Sequence, residues 1–310
     1  MDRVAIVLAA IAPPQLILGY GIAKARSSWN SEATLNAFLL GAVSALAAIA
    51  CELALGYLVP IHRMPPISGA ATEAVLIAAI PEETIKFLVL LCLALKHVDV
   101  CRQQDILVLS LAVSLGFATL ENFFFVISVG EWKITAALRA ITSVPGHGID
   151  GMAMGALLIA AWSSGQTLWR FSYALIVPVI LHAAYDFPLL ALKADLAQVW
   201  FGAAWLAIIA VSSLFVIALC NRALTAAAAA DRASGRDVTS VETTDRLIAG
   251  GILAMLGGPL LAAFAFNANG SVGASAATVL SIFPIAFGID SIRTGLARRK
   301  IRLARAAEAA

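Results

Sequence analysis

Long apolar runs separated by short polar clusters recur nine times along the chain, at roughly 4–23, 36–59, 70–95, 104–129, 135–163, 169–192, 198–220, 247–267 and 272–292. Each is near or above the ~20 residues that an α-helix needs to cross a bilayer. Continuous runs of this length predict helices, because membrane-spanning strands read as shorter segments of alternating polarity. The expected architecture is all-α: a polytopic helical membrane protein of about nine transmembrane helices.

Composition agrees with the pattern. Of 310 residues, 61% are hydrophobic and 13% charged, and the mean hydropathy is +0.91. Soluble domains average about 45–50% apolar and about 25% charged residues. These values exclude a soluble globular fold, a disordered chain and a disulfide scaffold. The cysteines at 51, 92, 101 and 220 fall in or beside apolar runs without a CxxC spacing, and read as packing residues. The formal charge of +2 carries no basic stripe of the kind that binds nucleic acid. The expected surroundings are the lipid bilayer, with no nucleic-acid partner.

The distribution of charge sets an expected orientation. With the C-terminal tail in the cytoplasm, nine spans put the N-terminus outside. The inner loops and tail then hold fifteen Lys and Arg residues, among them Lys24, Lys96, Arg102, Arg222 and Arg298; the outer loops hold five, Arg3, Arg63, Lys133, Arg139 and Lys193. This is the positive-inside bias. The first span, interrupted by Pro13, Pro14 and Gln15, reads as a retained helix rather than a cleaved signal peptide. The polar stretch 221–246 reads as a cytoplasmic linker, helical at its start. It divides a seven-span core, 1–220, from a two-span hairpin, 247–292, and a basic tail, 293–310, suited to anionic lipid.

Ionisable residues at membrane depth are costly and mark candidate functional sites. Glu82, Glu83 and Lys86 lie in the third span, Glu121 and Asn122 in the fourth, His147 and Asp150 in the fifth, His182 and Asp186 in the sixth. At ~1.5 Å of rise per residue, Glu82, Glu121, His147 and His182 lie roughly 20, 26, 24 and 20 Å from the cytoplasmic ends of their spans. One polar level among spans three to six, in the outer half of the bilayer, is therefore expected. Glu82 and Glu83 share a helix face with Lys86 at i,i+4 and i,i+3, and His182 shares one with Asp186 at i,i+4. Pro81 predicts a helix start or kink beside the glutamates, and the glycines around His147 permit close helix approach.

This set suits activation of a water by a carboxylate, with the imidazoles and amide holding the water or an oxyanion. It equally suits a zinc ion held by Glu82, His147 and His182 with an open position for water. HExxH and GxSxG are both absent from the sequence. Asp150, one turn after His147, is a candidate supporting residue. Glu52 and Glu73 read as structural or interfacial, His62 and His97 as surface residues, and the aromatic run 123–125 as packing. A proton-coupled transporter or channel and a non-catalytic membrane scaffold are the competing readings.

The motifs Glu82-Glu83-x-x-Lys86, Gly116-Phe117-Ala118-x-x-Glu121-Asn122, an isolated His147, and His182-Ala183-x-x-Asp186 follow one another in consecutive spans. This series resembles the PrsW family of intramembrane proteases, in the CAAX-protease and bacteriocin-processing superfamily. The likeness is close over 70–190 and looser over 1–220. It implies that Glu82 or Glu83, Glu82 first, activates the water and that Lys86 orients them. It implies that Glu121 and Asn122 line the site, that His147 and His182 bind the water or metal and the oxyanion, and that Asp186 orients His182. It also implies a membrane-anchored protein substrate, such as an anti-sigma-factor-like regulator, in a bacterial cytoplasmic membrane. The family has been described as both metal-dependent and glutamic-type; no required cofactor is the first expectation and zinc the alternative. The two C-terminal spans lie outside the likeness.

Overall fold

The computed structural model describes residues 3–24, 31–96, 103–128, 131–163, 168–193 and 199–233. These form nine α-helices: α1 (Arg3–Lys24), α2 (Ser31–Leu58), α3 (Pro66–Thr72), α4 (Ile80–Lys96), α5 (Gln103–Ser128), α6 (Trp132–Ile141), α7 (Ser143–Ser163), α8 (Leu168–Lys193) and α9 (Val199–Ala233). A 3₁₀ turn (Ile61–Arg63) precedes α3, and a π-helical segment (Glu73–Ala79) joins α3 to α4. No strand occurs among the described residues, so the protein is an all-α polytopic membrane protein.

Among the described residues, six stretches are long and apolar enough to cross a membrane: Ala5–Ile22, Glu32–Arg63, Asp105–Ser128, Trp132–Ala161, Phe171–Leu192 and Phe201–Ala223. They correspond to six of the expected spans. The expected third span, 70–95, is helical but built from α3, the π segment and α4 in succession. The expected spans 247–267 and 272–292 and the tail lie outside the described residues. Of the expected linker, the part up to Ala233 continues α9.

The π segment has a local cause. Pro81 lacks the N–H that an α-helix would use, and its ring crowds the carbonyl four residues back. The wider π turns end just before it, where the Ile80 N–H bonds to the Val75 carbonyl, five residues back. Such π turns cluster at functional sites because they re-aim the side chains that follow. Here Glu82 and Glu83 follow.

The described helices fall into two compact units. One gathers Met1–Ser31 and Thr119–Pro145; the other gathers Glu32–Ala118 and Gly146–Ser234. In the first, α1 packs on α6, and Ile6 and Ala9 of α1 cluster with Trp132 and Ala136 of α6 and Val126 of α5. In the second, α8 packs against α3, the π segment, α4 and α9. Small residues draw the helices of this second unit together. A Cβ on Gly41 of α2 would overlap the Val113 backbone of α5, and one on Gly116 would overlap the Phe38 backbone of α2. Gly151 and Gly155 of α7 meet Ser110 and Ser114 of α5 in the same manner, and the Ser110 hydroxyl donates to the Gly151 carbonyl. Membrane helices associate through such close backbone approach. Here it fixes α7, and with it His147, against α5.

Gly116→Leu is therefore expected to cost about 1–3 kcal/mol through overpacking, seen as a lower thermal midpoint in detergent. Gly19→Ala on α1, where an added Cβ meets open space, is expected to leave the midpoint unchanged or slightly raised.

Candidate active site

The site starts from three residues on one face of α4. Lys86 Nζ donates to Glu82 Oε2 at 3.1 Å and to Glu83 Oε1 at 2.7 Å. It also lies 3.1 Å from Nδ1 of His147, brought in on α7. An ammonium has three donors and no acceptor. Its three hydrogens thus match three partners, and His147 accepts at Nδ1 and keeps its ring proton on Nε2. The ring of Phe117 on α5 covers the ammonium, with Nζ 4.1 Å from its centroid, and the same ring packs 5.7 Å from that of His147. A cation over an aromatic face is held by the ring quadrupole. Lys86 and Glu83 are 0% exposed.

Helix α8 supplies the rest. His182 Nδ1 donates to Glu83 Oε1 at 2.7 Å and stands 3.9 Å from Glu82 Oε2. Its Nε2 faces Asp186 Oδ2 at 3.2 Å, one helical turn on. Pro178 and Pro188 bracket this pair within α8. The His147 and His182 rings meet edge to face, 5.6 Å apart. Asp186 is the most open member, its side chain 23% exposed against 6% for His182. Glu83 Oε2 is buried with no hydrogen-bond partner among the described residues.

Glu82, Glu83, Lys86, His147, His182 and Asp186, named from the sequence, thus form one network across α4, α7 and α8. Asp150 is buried one turn beyond His147 on α7. Glu121 and Asn122 belong to the first unit and are bound by Arg139 of α6. Arg139 Nη2 lies 2.9 Å from Glu121 Oε2, its Nε donates to Asn122 Oδ1 at 2.8 Å, and its guanidinium stacks 4.0 Å from the Phe125 ring. Asn122 in turn donates to the Ala10 carbonyl of α1 at 3.0 Å. Glu52 and Glu73 are half-buried and His62 is exposed, while His97 lies outside the described residues. Cys51 and Cys92 are exposed and Cys220 is buried, none in a disulfide; Cys101 lies outside the described residues.

Two participants escaped the sequence reading. Phe117 lies in the Gly116-Phe117-Ala118 motif, but no sequence spacing marks it as the ring over Lys86. Arg139 was counted as a loop charge. The usable signal was its sign opposite Glu121, on a short helix packed beside the same span.

Carboxylates, imidazoles and an ammonium joined inside apolar helices define a membrane-embedded protein equipped for acid–base chemistry. The profile of the family described as "PrsW family intramembrane metalloprotease" matches residues 30–220. The chain belongs to this PrsW family of intramembrane proteases. It is similar to the protease PrsW of Bacillus subtilis strain 168, 31% identical over 195 residues that make up 61% of this chain and 84% of that one. It is similar also to that of Shouchella clausii strain KSM-K16, 28% identical over 187 residues, 59% of this chain and 83% of that one. With the protease PrsW of Clostridioides difficile strain 630 it shares 27% identity over 158 residues, 49% of this chain and 65% of that one. No solved structure matches.

The family description raises the question of a metal. Glu82, Glu83, His147 and His182 are ligand types that suit zinc, and one ligand atom from each lies within 4.8 Å of the others. Their arrangement does not suit it. A zinc ion stands about 2.0–2.2 Å from each ligand, and here Lys86 Nζ takes up the space between Glu82, Glu83 and His147. The His147 lone pair at Nδ1 is used by Lys86, and both His182 nitrogens face carboxylates.

Truncating one partner of a buried ion network strands the others, so Glu83→Ala is expected to cost about 3–5 kcal/mol, read as a lower unfolding midpoint in detergent. Arg139→Ala removes a fork from Glu121 and Asn122 and is expected to cost about 1–3 kcal/mol. Arg139→Lys is expected to recover less than half of that, since an ammonium offers neither the planar face that stacks on Phe125 nor separate Nε and Nη2 groups for the two partners.

Proposed function

We propose that this protein is an endopeptidase that hydrolyses a peptide bond in or near the transmembrane segment of a membrane-anchored protein, with Glu82 as the base that activates water. The observation that carries this reading is the joining of Glu82, Glu83, Lys86, His147 and His182 from three helices into one buried network. Family membership supports the reaction class.

The two glutamates divide the work. Glu83 Oε1 takes hydrogen bonds from both Lys86 and His182, which makes it the anchor of the cluster. Glu82 has the longer contact to Lys86 and a side chain that is 6% exposed, against 0% for Glu83. It is the carboxylate better able to accept a water proton and later return it to the leaving amine. Lys86 donates to Glu82 Oε2 and fixes its direction. His147, with its proton on Nε2, supplies a donor for the developing oxyanion. Asp186 holds the outer nitrogen of His182 and faces the open side of the site.

The substrate is a membrane-anchored protein within the lipid bilayer. A regulator of the anti-sigma-factor type fits this description. The excess of Lys and Arg in one set of loops supports a C-terminus in the cytoplasm of a bacterial membrane and a site in its outer half.

The test uses purified protein in detergent with a panel of single-span membrane proteins, products read by mass spectrometry. Glu82→Gln is expected to lower the cleavage rate by about 10²–10⁴-fold while the thermal midpoint holds. Asp186→Asn is expected to lower it less. Cleavage by folded Glu82→Gln at the wild-type rate would overturn the assignment of the base.

A further inference from the structure

We propose that Lys86 is the resident cation of this site: its ammonium stands where a divalent metal would bind, keeps the wild-type site metal-free, and leaves a latent zinc- or cobalt-type site that opens when its charge is removed. The inference deepens the proposed function, since it assigns the positive charge that the hydrolytic carboxylates face. Its test does not depend on cleavage.

Three observations carry it. First, Nζ contacts three candidate ligand atoms drawn from two helices, at 3.1 Å for Glu82 Oε2, 2.7 Å for Glu83 Oε1 and 3.1 Å for His147 Nδ1. A metal bound to those atoms would lie within about 2.0–2.2 Å of each, so ion and ammonium would compete for one position with charges of the same sign. Second, the ammonium is held there. Its three hydrogens have three partners, the Phe117 ring closes over it at 4.1 Å, and the side chain is 0% exposed. A rotation that freed the site would strand a charge among apolar helices, a costly state. Third, subtracting the lysine leaves Glu82, Glu83, His147 and His182, two imidazoles and two carboxylates whose ligand atoms lie within 4.8 Å of one another. That set is of the kind that holds catalytic zinc with a position open. The excess negative charge left behind would favour a dication.

The experiment compares wild type, Lys86→Met and Lys86→Arg, each purified in detergent. Bound metal is read by elemental analysis after dialysis, and Co²⁺ is titrated while its visible absorption is followed, since tetrahedral coordination gives intense bands. Wild type is expected to carry no stoichiometric metal and to show no tetrahedral bands. Lys86→Met is expected to bind cobalt at least about tenfold more tightly, with the bands and with a thermal midpoint that falls on chelation. Lys86→Arg keeps the charge and is expected to behave as wild type. One equivalent of tightly held zinc in wild type, removed by a chelator with loss of thermal stability, would overturn the proposal. So would a folded Lys86→Met that takes up no cobalt, or metal uptake by Lys86→Arg equal to that of Lys86→Met. If Lys86→Met does not fold, the wild-type cobalt titration decides by itself: tetrahedral bands overturn the proposal and their absence upholds it. Failure of the protease reading would show as absent cleavage with these metal readings unchanged.

Discussion

An ammonium with no water around it must find three acceptors or not be there at all. Lys86 meets this demand with Glu82, Glu83 and His147, and much of the fold can be read as the means of bringing them to it. The first two come from its own helix at i,i+4 and i,i+3, a spacing that needs no tertiary help. The third requires α7 at a fixed depth and rotation, which the close Gly151 and Gly155 contacts with α5 provide. His182 then completes Glu83 from α8, and Asp186 completes His182. Each added group satisfies the one before it, so the network is costly to break at any point.

The same constraint accounts for irregular backbone at this depth. A plain α-helix running through Pro81 would leave an orphaned carbonyl beside the glutamates. The π turns over Glu73–Ala79 run up to this proline, with the Ile80 N–H on the Val75 carbonyl. They also set the rotation with which Glu82 and Glu83 enter α4. The irregularity lies within the second unit, where α8 packs on the π segment.

How much of this was legible in the sequence follows from what makes a residue conspicuous. Glu82, Glu83, Lys86, His147, His182 and Asp186 stood out because charges and imidazoles are rare in apolar helices, and counting helical rise put the first glutamates and the histidines at similar depths. Contacts among α4, α7 and α8 join the residues of three of those four spans. Arg139 was not legible as a partner, because its place near a span end made it look like a topology signal. Glu121 and Asn122 are expected from the family likeness to line the site; within their own unit Arg139 meets both, and Asn122 also donates to the Ala10 carbonyl of α1. The π segment was hidden because an apolar run reads alike whatever its hydrogen-bond register; Pro81 alone hinted at it. Phe117 was an aromatic among many, and its service as a lid on Lys86 depends on a packing that no spacing rule encodes.

In the proposed reaction, a water activated inside the membrane cuts a peptide bond. The most direct measurement is digestion of single-span membrane proteins by the purified protein in ¹⁸O-labelled water, with the products sequenced by mass spectrometry. One ¹⁸O in each newly formed carboxyl terminus and a cut in or near the apolar segment are expected. Intact substrates after incubation with folded protein, or cuts confined to segments far from the bilayer, would contradict it.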